Sequence, residues 1–212
     1  MSRSFLTALL DLFLPRHARA LRARAINEND LRALVAPRTL PRAPWIHALL
    51  PYTDERVRAI VQSVKYHREH EVAARIAPLL ASELTHMLHS AAARDAGWQG
   101  AIIVPIPASS RRLRERGYVQ AALYARALKT HLPHLTANER ILTRQDRVSQ
   151  VRVSRAERQT HVRGAFRASH AALGAYIVLI DDVVQSGATL IDARRALLDE
   201  GARGVLALAV AH

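Results

Sequence analysis

The stretch VLIDDVVQSGATLIDARRALLDEGA, residues 178–202, decides the fold that we predict for this chain. It begins as an unbroken apolar run, typical of a strand buried on both faces, and the run ends in two adjacent carboxylates, Asp181 and Asp182. A short turn of hydroxyl and glycine residues follows, and then a helix up to Gly201, which stands where a helix C-cap is expected. This arrangement raises the question of what the carboxylates and the turn bind.

Other parts of the sequence repeat the alternation of strand and helix. Buried strands are predicted at AIIVPIP, residues 101–107, and at GVLALAV, residues 204–210, because both runs are short and continuously apolar. A helix is predicted near residues 118–131, and shorter strands near 141–144 and 165–168. We therefore predict an α/β fold with a mainly parallel sheet flanked by helices.

The first half of the chain has a helical pattern. Val57, Ile60, Val61 and Val64, at i, i+3, i+4 and i+7, predict one helix. A single stripe of apolar residues predicts a second over about residues 71–92, where Pro78 is expected to kink it or to begin a new segment. Residues 1–50 carry many arginines and several prolines without a core pattern. The predicted organisation is a degenerate N-terminal helical extension, residues 1–50, and one domain, residues 51–212.

Composition limits the kind of chemistry and the compartment. The chain has no cysteine, which excludes disulfides and any cysteine-based zinc or thiol chemistry. No apolar run reaches the ~18 residues of a membrane span, and residues 5–14 have an amphipathic pattern rather than that of a signal peptide. We therefore expect a cytoplasmic protein without a membrane span.

The charge of the chain is strongly positive, with 31 basic and 18 acidic residues. Only Lys65 and Lys129 are lysines. The excess concentrates between residues 109 and 167, which hold 14 Arg and Lys against four Asp and Glu. Such a block favours an anionic partner, such as phosphate, pyrophosphate or nucleic acid, although arginine is also simply common in some genomes.

The carboxylates and the turn together predict a binding site for a sugar phosphate. Ligands of parallel sheets bind beyond the carboxyl ends of the strands, where Asp181 and Asp182 stand. The turn opens a helix whose first amides and dipole attract anions, and Gly187 allows a ligand to approach the backbone. The hydroxyls of Ser186 and Thr189 add two donors, so the turn suits a phosphate monoester. Because carboxylates suit vicinal hydroxyls or a phosphate-bound Mg²⁺, the whole pattern indicates a ribose 5-phosphate.

Competing assignments fit residues 178–190 less well. The Walker pattern GxxxxGK[ST] and the dinucleotide-binding pattern GxGxxG are both absent. A phosphoacceptor aspartate after a strand would leave the downstream SGAT unexplained. A plain helix cap of Ser, Thr and Gly stays the simplest alternative, although it does not account for the adjacent acidic pair.

The segment VLIDDVVQSGATL resembles the phosphoribosyl pyrophosphate (PRPP) motif of type I phosphoribosyltransferases. Three further segments, ALLPYTDERVRAIVQSVKYHREHEVA, IIVPIPASSRRLRERGYVQAALYARAL and LTRQDRVSQVRVSRAERQTHVRGAFRA, resemble other blocks of ComF/GntX-type proteins. These proteins are phosphoribosyltransferase-like and are linked to DNA uptake in bacteria. The resemblance covers about residues 45–212, and it implies a type I phosphoribosyltransferase fold that binds PRPP with Mg²⁺.

The resemblance also implies roles for particular residues. The pair expected to face the ribose hydroxyls as catalytic residues, with Mg²⁺ held through PRPP, is Asp181 and Asp182. The residues expected around the 5-phosphate are Gln185, Ser186, Gly187, Ala188 and Thr189. Those expected to approach the pyrophosphate, in a loop after the first strand, are Ala108, Ser109, Ser110 and Arg111. The expected contacts from a mobile flap, residues 144–158, are Arg147, Gln150 and Arg158. Lys65 is either a ligand contact or a snorkelling side chain at a helix end.

The chain departs from the family pattern at several places. Val119 replaces the usual amide side chain in RGYVQ, His161 replaces an asparagine, and Gln185 replaces a threonine of the phosphate turn. LLDLFLPRHARAL resembles the start of the family's four-cysteine zinc module, but without cysteine that zinc site is gone. No carboxylate pattern completes a metal site around the histidine pairs spaced i, i+3, which are His67/His70, His86/His89 and His131/His134.

Two classes of function fit the sequence. An enzyme would transfer the phosphoribosyl group of PRPP to an acceptor, such as a nitrogen base, that the sequence does not identify. A non-catalytic protein would sense PRPP or bind single-stranded DNA, as an accessory to DNA-uptake proteins. The basic block favours DNA binding, whereas the scarcity of stacking aromatic residues disfavours it. No helix-turn-helix pattern supports a sequence-specific reader of duplex DNA.

Overall fold

The computed structural model describes residues 23, 25–67, 70–92, 94–145 and 164–212. The helices in these ranges are α1 (Glu28–Ala33), α2 (Glu55–His67), α3 (His70–Ala92), α4 (Ser110–Arg116), α5 (Gln120–His131) and α6 (Ala188–Asp199). The strands are β1 (Arg38–Leu40), β2 (Ala43–Leu50), β3 (Ile102–Pro105), β4 (Thr136–Ala137), β5 (Leu142–Arg144), β6 (Phe166–Ala168), β7 (Tyr176–Val183) and β8 (Gly204–Ala211). Short 3₁₀ helices cover Ala96–Gly100 and His170–Ala172.

The main sheet has six strands in the order β1-β2-β8-β7-β3-β4. Its neighbouring strands are parallel, except for β1 and β2. β7 lies between β8 and β3, and its residues Ile177 to Ile180 are at most 1% exposed. The unbroken apolar pattern of this strand follows from burial on both faces, since Val178 and Ile180 join one core while Ile177 and Leu179 join the other.

Each face of the sheet is covered by its own apolar core. One core contains buried residues of α2, α3 and α5, and the other contains buried residues of α6 and of the hairpin formed by β5 and β6. In this hairpin Leu142 lies opposite Ala168, and Arg144 lies opposite Phe166. The predicted α/β fold, with a mainly parallel sheet flanked by helices, is confirmed.

Residues 38–50 differ from the predicted helical extension. They form β1 and β2, and β2 pairs with β8 from Ile46 opposite Ala207 to Leu50 opposite Ala211. Alanine, leucine and proline dominate this stretch, so no alternating pattern marks a strand, and the pairing with β8 overrides the weak local preference. The helical prediction is therefore wrong for these residues, and the main sheet crosses the predicted boundary after residue 50.

The long helix α3 runs through Pro78 without a break. The proline is exposed, and buried residues such as Val72, Ile76 and Leu80 keep the packed face of the helix continuous on both sides of it. Pro78 therefore does not begin a new segment. Within the described ranges, no helix is both long and apolar enough to cross a membrane.

Candidate functional site

A cavity of about 350 Å³ opens at the edge of the sheet where β3 and β7 end. Because these strands are parallel neighbours, residues 106–108 after β3 and residues 181–190, which begin at the end of β7, line the cavity together. Helices α2, α4 and α5 close other sides and contribute Lys65, Arg112 and Gln120. This is the edge at which the sequence predicts a ligand.

The acidic pair lies at the end of β7 and is half-buried. Asp181 accepts a hydrogen bond from the backbone N–H of Asp182 at 2.9 Å, and Asp182 accepts one from that of Val183 at 2.8 Å. Burial and the neighbouring Asp182 carboxylate raise the pKa of Asp181 well above its usual range, although the Arg112 guanidinium opposes this. The protein therefore leaves the charge of the pair incompletely compensated, which favours a bound cation or a hydroxyl donor.

The turn after β7 leaves the N-terminus of α6 open to the cavity. Gly187 is the N-cap residue, and no side chain caps the helix from that position. The Ser186 hydroxyl accepts only a long hydrogen bond, 3.4 Å, from the backbone N–H of Ala188. Because the first amides of an α-helix have no intrahelical acceptors and its dipole is positive at this end, the turn offers donors to an anion.

Gly187 is required at this turn for two separate reasons. Its φ of 75° is in the left-handed region, which is unfavourable for residues with a side chain. A Cβ at this position would also lie 2.9 Å from Cδ2 of Leu40 and 3.2 Å from Cδ1 of Ile46. Leu40 and Ile46 belong to β1 and β2, so the two strands that the sequence does not reveal support the turn.

Cationic side chains surround the remainder of the cavity. They are Lys65 of α2, Arg112 and Arg116 of α4, and Arg144 at the end of β5. Arg112 and Arg116 are four residues apart on a helix, so they project from the same face. The Arg144 guanidinium carbon lies 5.3 Å from the centre of the Phe166 ring on the neighbouring strand. A cavity lined in this way attracts an anion with several charges.

Two buried hydrogen bonds hold α5 against α2. Nε2 of Gln120 donates to the carbonyl of Val61 at 3.1 Å, and the Tyr118 hydroxyl donates to the carbonyl of Val64. Gln120 is only 5% exposed, and its Oε1 has no hydrogen-bond partner among the described residues. Because Val64 precedes Lys65, the contact with Tyr118 also places the lysine at the cavity.

The structure brings most of the predicted contacts together. The predicted residues that line the cavity are Lys65, Ala108, Asp181, Asp182, Gln185, Ser186, Gly187, Ala188 and Thr189. Arg147, Gln150 and Arg158 of the expected flap, and also His161, lie outside the described residues.

The segment expected to approach the pyrophosphate, residues 108–111, runs from the end of a loop into a helix. Helix α4 begins there, with Ser109 as its N-cap, and Ser109, Ser110 and Arg111 are not among the residues that line the cavity. Arg111 is largely exposed and pairs with Glu115 at 3.6 Å. Since successive side chains of a helix point in different directions, the basic residue that reaches the cavity is Arg112 rather than its neighbour.

Several lining residues have no individual role in the sequence prediction, among them Arg112, Arg116 and Gln120. The four-residue spacing of the two arginines identifies them once RRLRER is assigned to a helix. Gln120 gives no local signal, because its burial depends on a contact with α2, 59 positions away along the chain.

The described residues contain no group of three or more His, Cys, Asp or Glu side chains able to hold a metal ion. Asp181 and Asp182 supply carboxylate oxygens, which suit Mg²⁺. Since Mg²⁺ takes about six oxygen ligands, an ion at this pair would need further ones from a bound phosphate and water. The donor set therefore fits a metal that arrives with its ligand.

No protein-family model matches the chain. The competence protein ComFC of Bacillus subtilis is 36% identical over 102 residues, which cover 47% of this chain and 39% of that protein. The DNA utilization protein YhgH of Salmonella typhimurium is 30% identical over 165 residues, which cover 76% of this chain and 70% of that protein. This chain belongs to the ComF-like family. The YhgH of Escherichia coli is 29% identical over 147 residues, which cover 69% of this chain and 63% of that protein. This chain therefore matches only part of the length of that relative.

Solved structures with similar architecture include phosphoribosyltransferases. A hypoxanthine phosphoribosyltransferase from Staphylococcus aureus has 13% identity and a TM-score of 0.40, with 66% of this ComF-like chain and 62% of that chain covered. An allosteric regulatory enzyme of purine biosynthesis has 19% identity and a TM-score of 0.38, with coverage of 70% and 30%. Values this low add nothing to the assignment, which rests on the sequence relatives.

Proposed function

We propose that this protein binds PRPP together with Mg²⁺ and transfers its phosphoribosyl group to an acceptor. One observation carries the proposal: the acidic pair and the open N-terminus of α6 line the same cavity, with cationic side chains around them. PRPP has a phosphate at one end, vicinal hydroxyls in the middle and a diphosphate at the other end. Each part of the ligand has a chemically suitable partner.

The 5-phosphate would lie at the turn formed by residues 185–189, where backbone donors and the helix dipole favour an anion. The ribose hydroxyls would donate to Asp181 and Asp182, whose carboxylate oxygens accept hydrogen bonds. Arg112 and Lys65, with their positive charge, would lie near the diphosphate. Mg²⁺ bound to PRPP would supply further positive charge against the leaving diphosphate.

The reaction replaces one bond to C1 of the ribose with another. The bond from C1 to the diphosphate oxygen breaks, the diphosphate leaves with the electron pair, and an atom of the acceptor forms the new bond to C1. An acceptor N–H loses its proton in the process. Because positive charge develops on the sugar, the protein's part is to position the reactants and to neutralise charge. No covalent nucleophile is required from the chain.

Calorimetric titration tests the binding step. PRPP with Mg²⁺ should bind the wild-type protein in the micromolar range, and Asp181→Asn/Asp182→Asn should abolish binding. Asp199→Asn is the matched control, because Asp199 is an exposed carboxylate of α6 that does not line the cavity. Absence of PRPP binding to the wild-type protein would rule out the proposal. If PRPP does bind, release of pyrophosphate in the presence of one of a panel of bases would identify the acceptor.

A second function is favoured by the exposed basic face of α4 and by the names of the relatives. Arg111 and Arg114 are exposed and lie outside the lining of the cavity, and relatives are named for DNA utilization and for competence. We propose as the alternative a non-catalytic protein that senses PRPP or binds single-stranded DNA during DNA uptake, with proteins of that process as partners. The expectation of a cytoplasmic protein stays a prediction.

The salt dependence of DNA binding tests this alternative. Contacts with DNA phosphates release counterions, so the affinity for single-stranded DNA should fall steeply as salt rises. Arg111→Gln/Arg114→Gln should reduce the magnitude of that slope by about 1.4, which is about 0.7 for each contact removed from a single strand. A slope that is unchanged in the double variant would show that this face of α4 does not bind DNA.

A further inference from the structure

A buried carboxylate outside the cavity connects α6 to the β5–β6 hairpin. Asp192 lies in α6 and is only 4% exposed. Its Oδ1 accepts hydrogen bonds from the backbone N–H of Gly164 at 2.7 Å and from Nη2 of Arg195 at 2.8 Å. Its Oδ2 accepts one from the backbone N–H of Ala165 at 2.8 Å. A single side chain thus fixes two consecutive backbone amides of the segment that enters β6.

The β5–β6 hairpin connects the segment held by Asp192 to the cavity. The carbonyl of Ala165 accepts a hydrogen bond from the backbone N–H of Gln145 at 2.8 Å, directly after β5. Arg144 is the last residue of β5 and lies opposite Phe166, the first residue of β6. The Arg144 guanidinium is over the Phe166 ring and lines the cavity. The position of Arg144 therefore depends on where Asp192 holds the start of β6.

Asp192 also lies close in sequence to the phosphate turn, residues 185–189, which leads into α6. Asp192 is four residues after Ala188, the first residue of α6, so it lies one helical turn from the amides that face the cavity. We propose that Asp192 is a positioning residue, which sets the place of Arg144 relative to the N-terminus of α6 and so governs affinity for a sugar phosphate that both must contact. This inference rests on the proposed PRPP site, and Asp192 itself does not line the cavity.

A carboxylate is the side chain that suits this position. Burial acts to raise the pKa of Asp192, but the amide of Gly164, the Arg195 guanidinium and the amide of Ala165 outweigh it, so that the pKa is below its usual range. An ionised carboxylate accepts at both oxygens, as the two amides require. Asparagine has the same shape, but it would direct an NH₂ group at one of the two amides and leave that buried N–H without an acceptor.

A double-mutant cycle separates positioning from general support. Asp192→Asn should weaken PRPP binding by about tenfold, a typical coupling between neighbouring groups, and Arg144→Gln should weaken it as well. If Asp192 acts through Arg144, then Asp192→Asn should cause little further loss when Arg144→Gln is already present. Losses that add in full would overturn the inference. Asp199→Asn, which changes the exposed carboxylate of the same helix, should bind PRPP like the wild type.

Hydrogen exchange measures the anchoring without any ligand. Asp192→Asn should speed exchange in peptides that cover residues 142–145 and 164–168, while peptides from β7 and β8 stay protected. Unchanged exchange in the hairpin would refute the anchoring even if PRPP binds. A wild type that binds no PRPP would instead overturn the proposed function, and the positioning role for PRPP would fall with it. Arg195→Gln keeps both amide bonds, so it should leave hairpin exchange and PRPP binding close to the wild type, and faster exchange in it would show that the Arg195 pair rather than the amide bonds anchors the hairpin.

Discussion

Two acidic sites on one strand–helix unit have opposite surroundings. At the end of β7, burial and Asp182 raise the pKa of Asp181, whereas in α6 the amides and Arg195 keep the pKa of Asp192 low despite its burial. Helix α6, which contains Asp192, also begins after a glycine N-cap without a side-chain cap. The difference teaches that the chain lowers the pKa of the carboxylate that supports the fold, while it raises the pKa of the one at the cavity, as the proposed binding role requires.

The largest effect on stability is expected at the satisfied site. Asp192→Asn should lower the free energy of unfolding by about 2–3 kcal/mol, because one buried amide loses its acceptor and the pair with Arg195 loses its charge. Denaturant unfolding measures this change. Asp199→Asn is the control and should stay within about 0.5 kcal/mol of the wild type. Equal stability of the two variants would mean that the contacts of Asp192 are not a structural anchor.

The turn at the N-terminus of α6 can be tested by substituting Gly187. Gly187→Ala should cost about 2 kcal/mol, because it combines a left-handed φ with a Cβ that meets Leu40, and it should displace the phosphate turn. Gly174→Ala is the matched control, since Gly174 has a φ of 70° but open space around the Cβ position. It should cost about 1 kcal/mol, the conformational part alone.

The same chemical denaturation experiment applies to both glycine variants. If Gly174→Ala is as costly as Gly187→Ala, then contact with β1 contributes nothing at the turn. Leu40→Ala in the Gly187→Ala background gives a further check, because it removes the atom nearest to the added Cβ. Part of the loss specific to Gly187→Ala should then be recovered relative to Leu40→Ala alone.

Stability against pH should separate the two acidic sites by sign. The pKa of Asp181 is higher in the folded than in the unfolded protein, so its contribution is present below about pH 4 and is lost as pH rises through the folded pKa. The pKa of Asp192 is lower in the folded protein, so its contribution is present above about pH 4 and is lost as pH falls through the folded pKa.

Thermal denaturation over a pH series measures this difference. As pH rises above about 4, the wild type should lose stability relative to Asp181→Asn, which at neutral pH should be at least as stable. As pH falls below about 4, the deficit of Asp192→Asn relative to the wild type should shrink. If the stability of the two variants relative to the wild type changes with pH in the same way, then the two acidic sites do not differ in the sign of their pKa shifts.

The predictable part of the site is the part whose determinants are local. Asp181, Asp182 and Gly187 fall within seven residues, between an apolar strand and an amphipathic helix, and the structure places them at one cavity. The centre of the parallel sheet is predictable for the same reason, because β3, β7 and β8 are each marked by their own apolar run. The local order of residues is therefore sufficient to predict the acidic pair, the glycine turn and these strands.

The unpredicted part depends on distant contacts. β2 is a strand because it pairs with β8, and Gln120 is buried because it contacts α2. Residues close in sequence therefore predict neither the strand nor the burial. The expected pyrophosphate contact of residues 108–111 stays a prediction, although helix α4 begins within this segment at Ser110. The helical course of α4 turns Arg112 and Arg116 toward the cavity and leaves Arg111 at the surface.

The smallest expected effect concerns Val119, where the chain departs from the family pattern RGFNQ. Val119 is the N-cap of α5, its backbone is extended with φ of −94° and ψ of 114°, and no side chain caps the helix there. Asparagine is among the most favoured N-cap residues, because its side-chain oxygen accepts a hydrogen bond from a first-turn amide.

Val119→Asn should therefore raise the free energy of unfolding by about 0.5–1 kcal/mol, which denaturant unfolding can resolve. Val119→Thr serves as a comparison, since it keeps the branched shape while adding an oxygen, and it should gain less. A loss of stability in both variants would show that apolar contacts of Val119 at the cavity outweigh the cap.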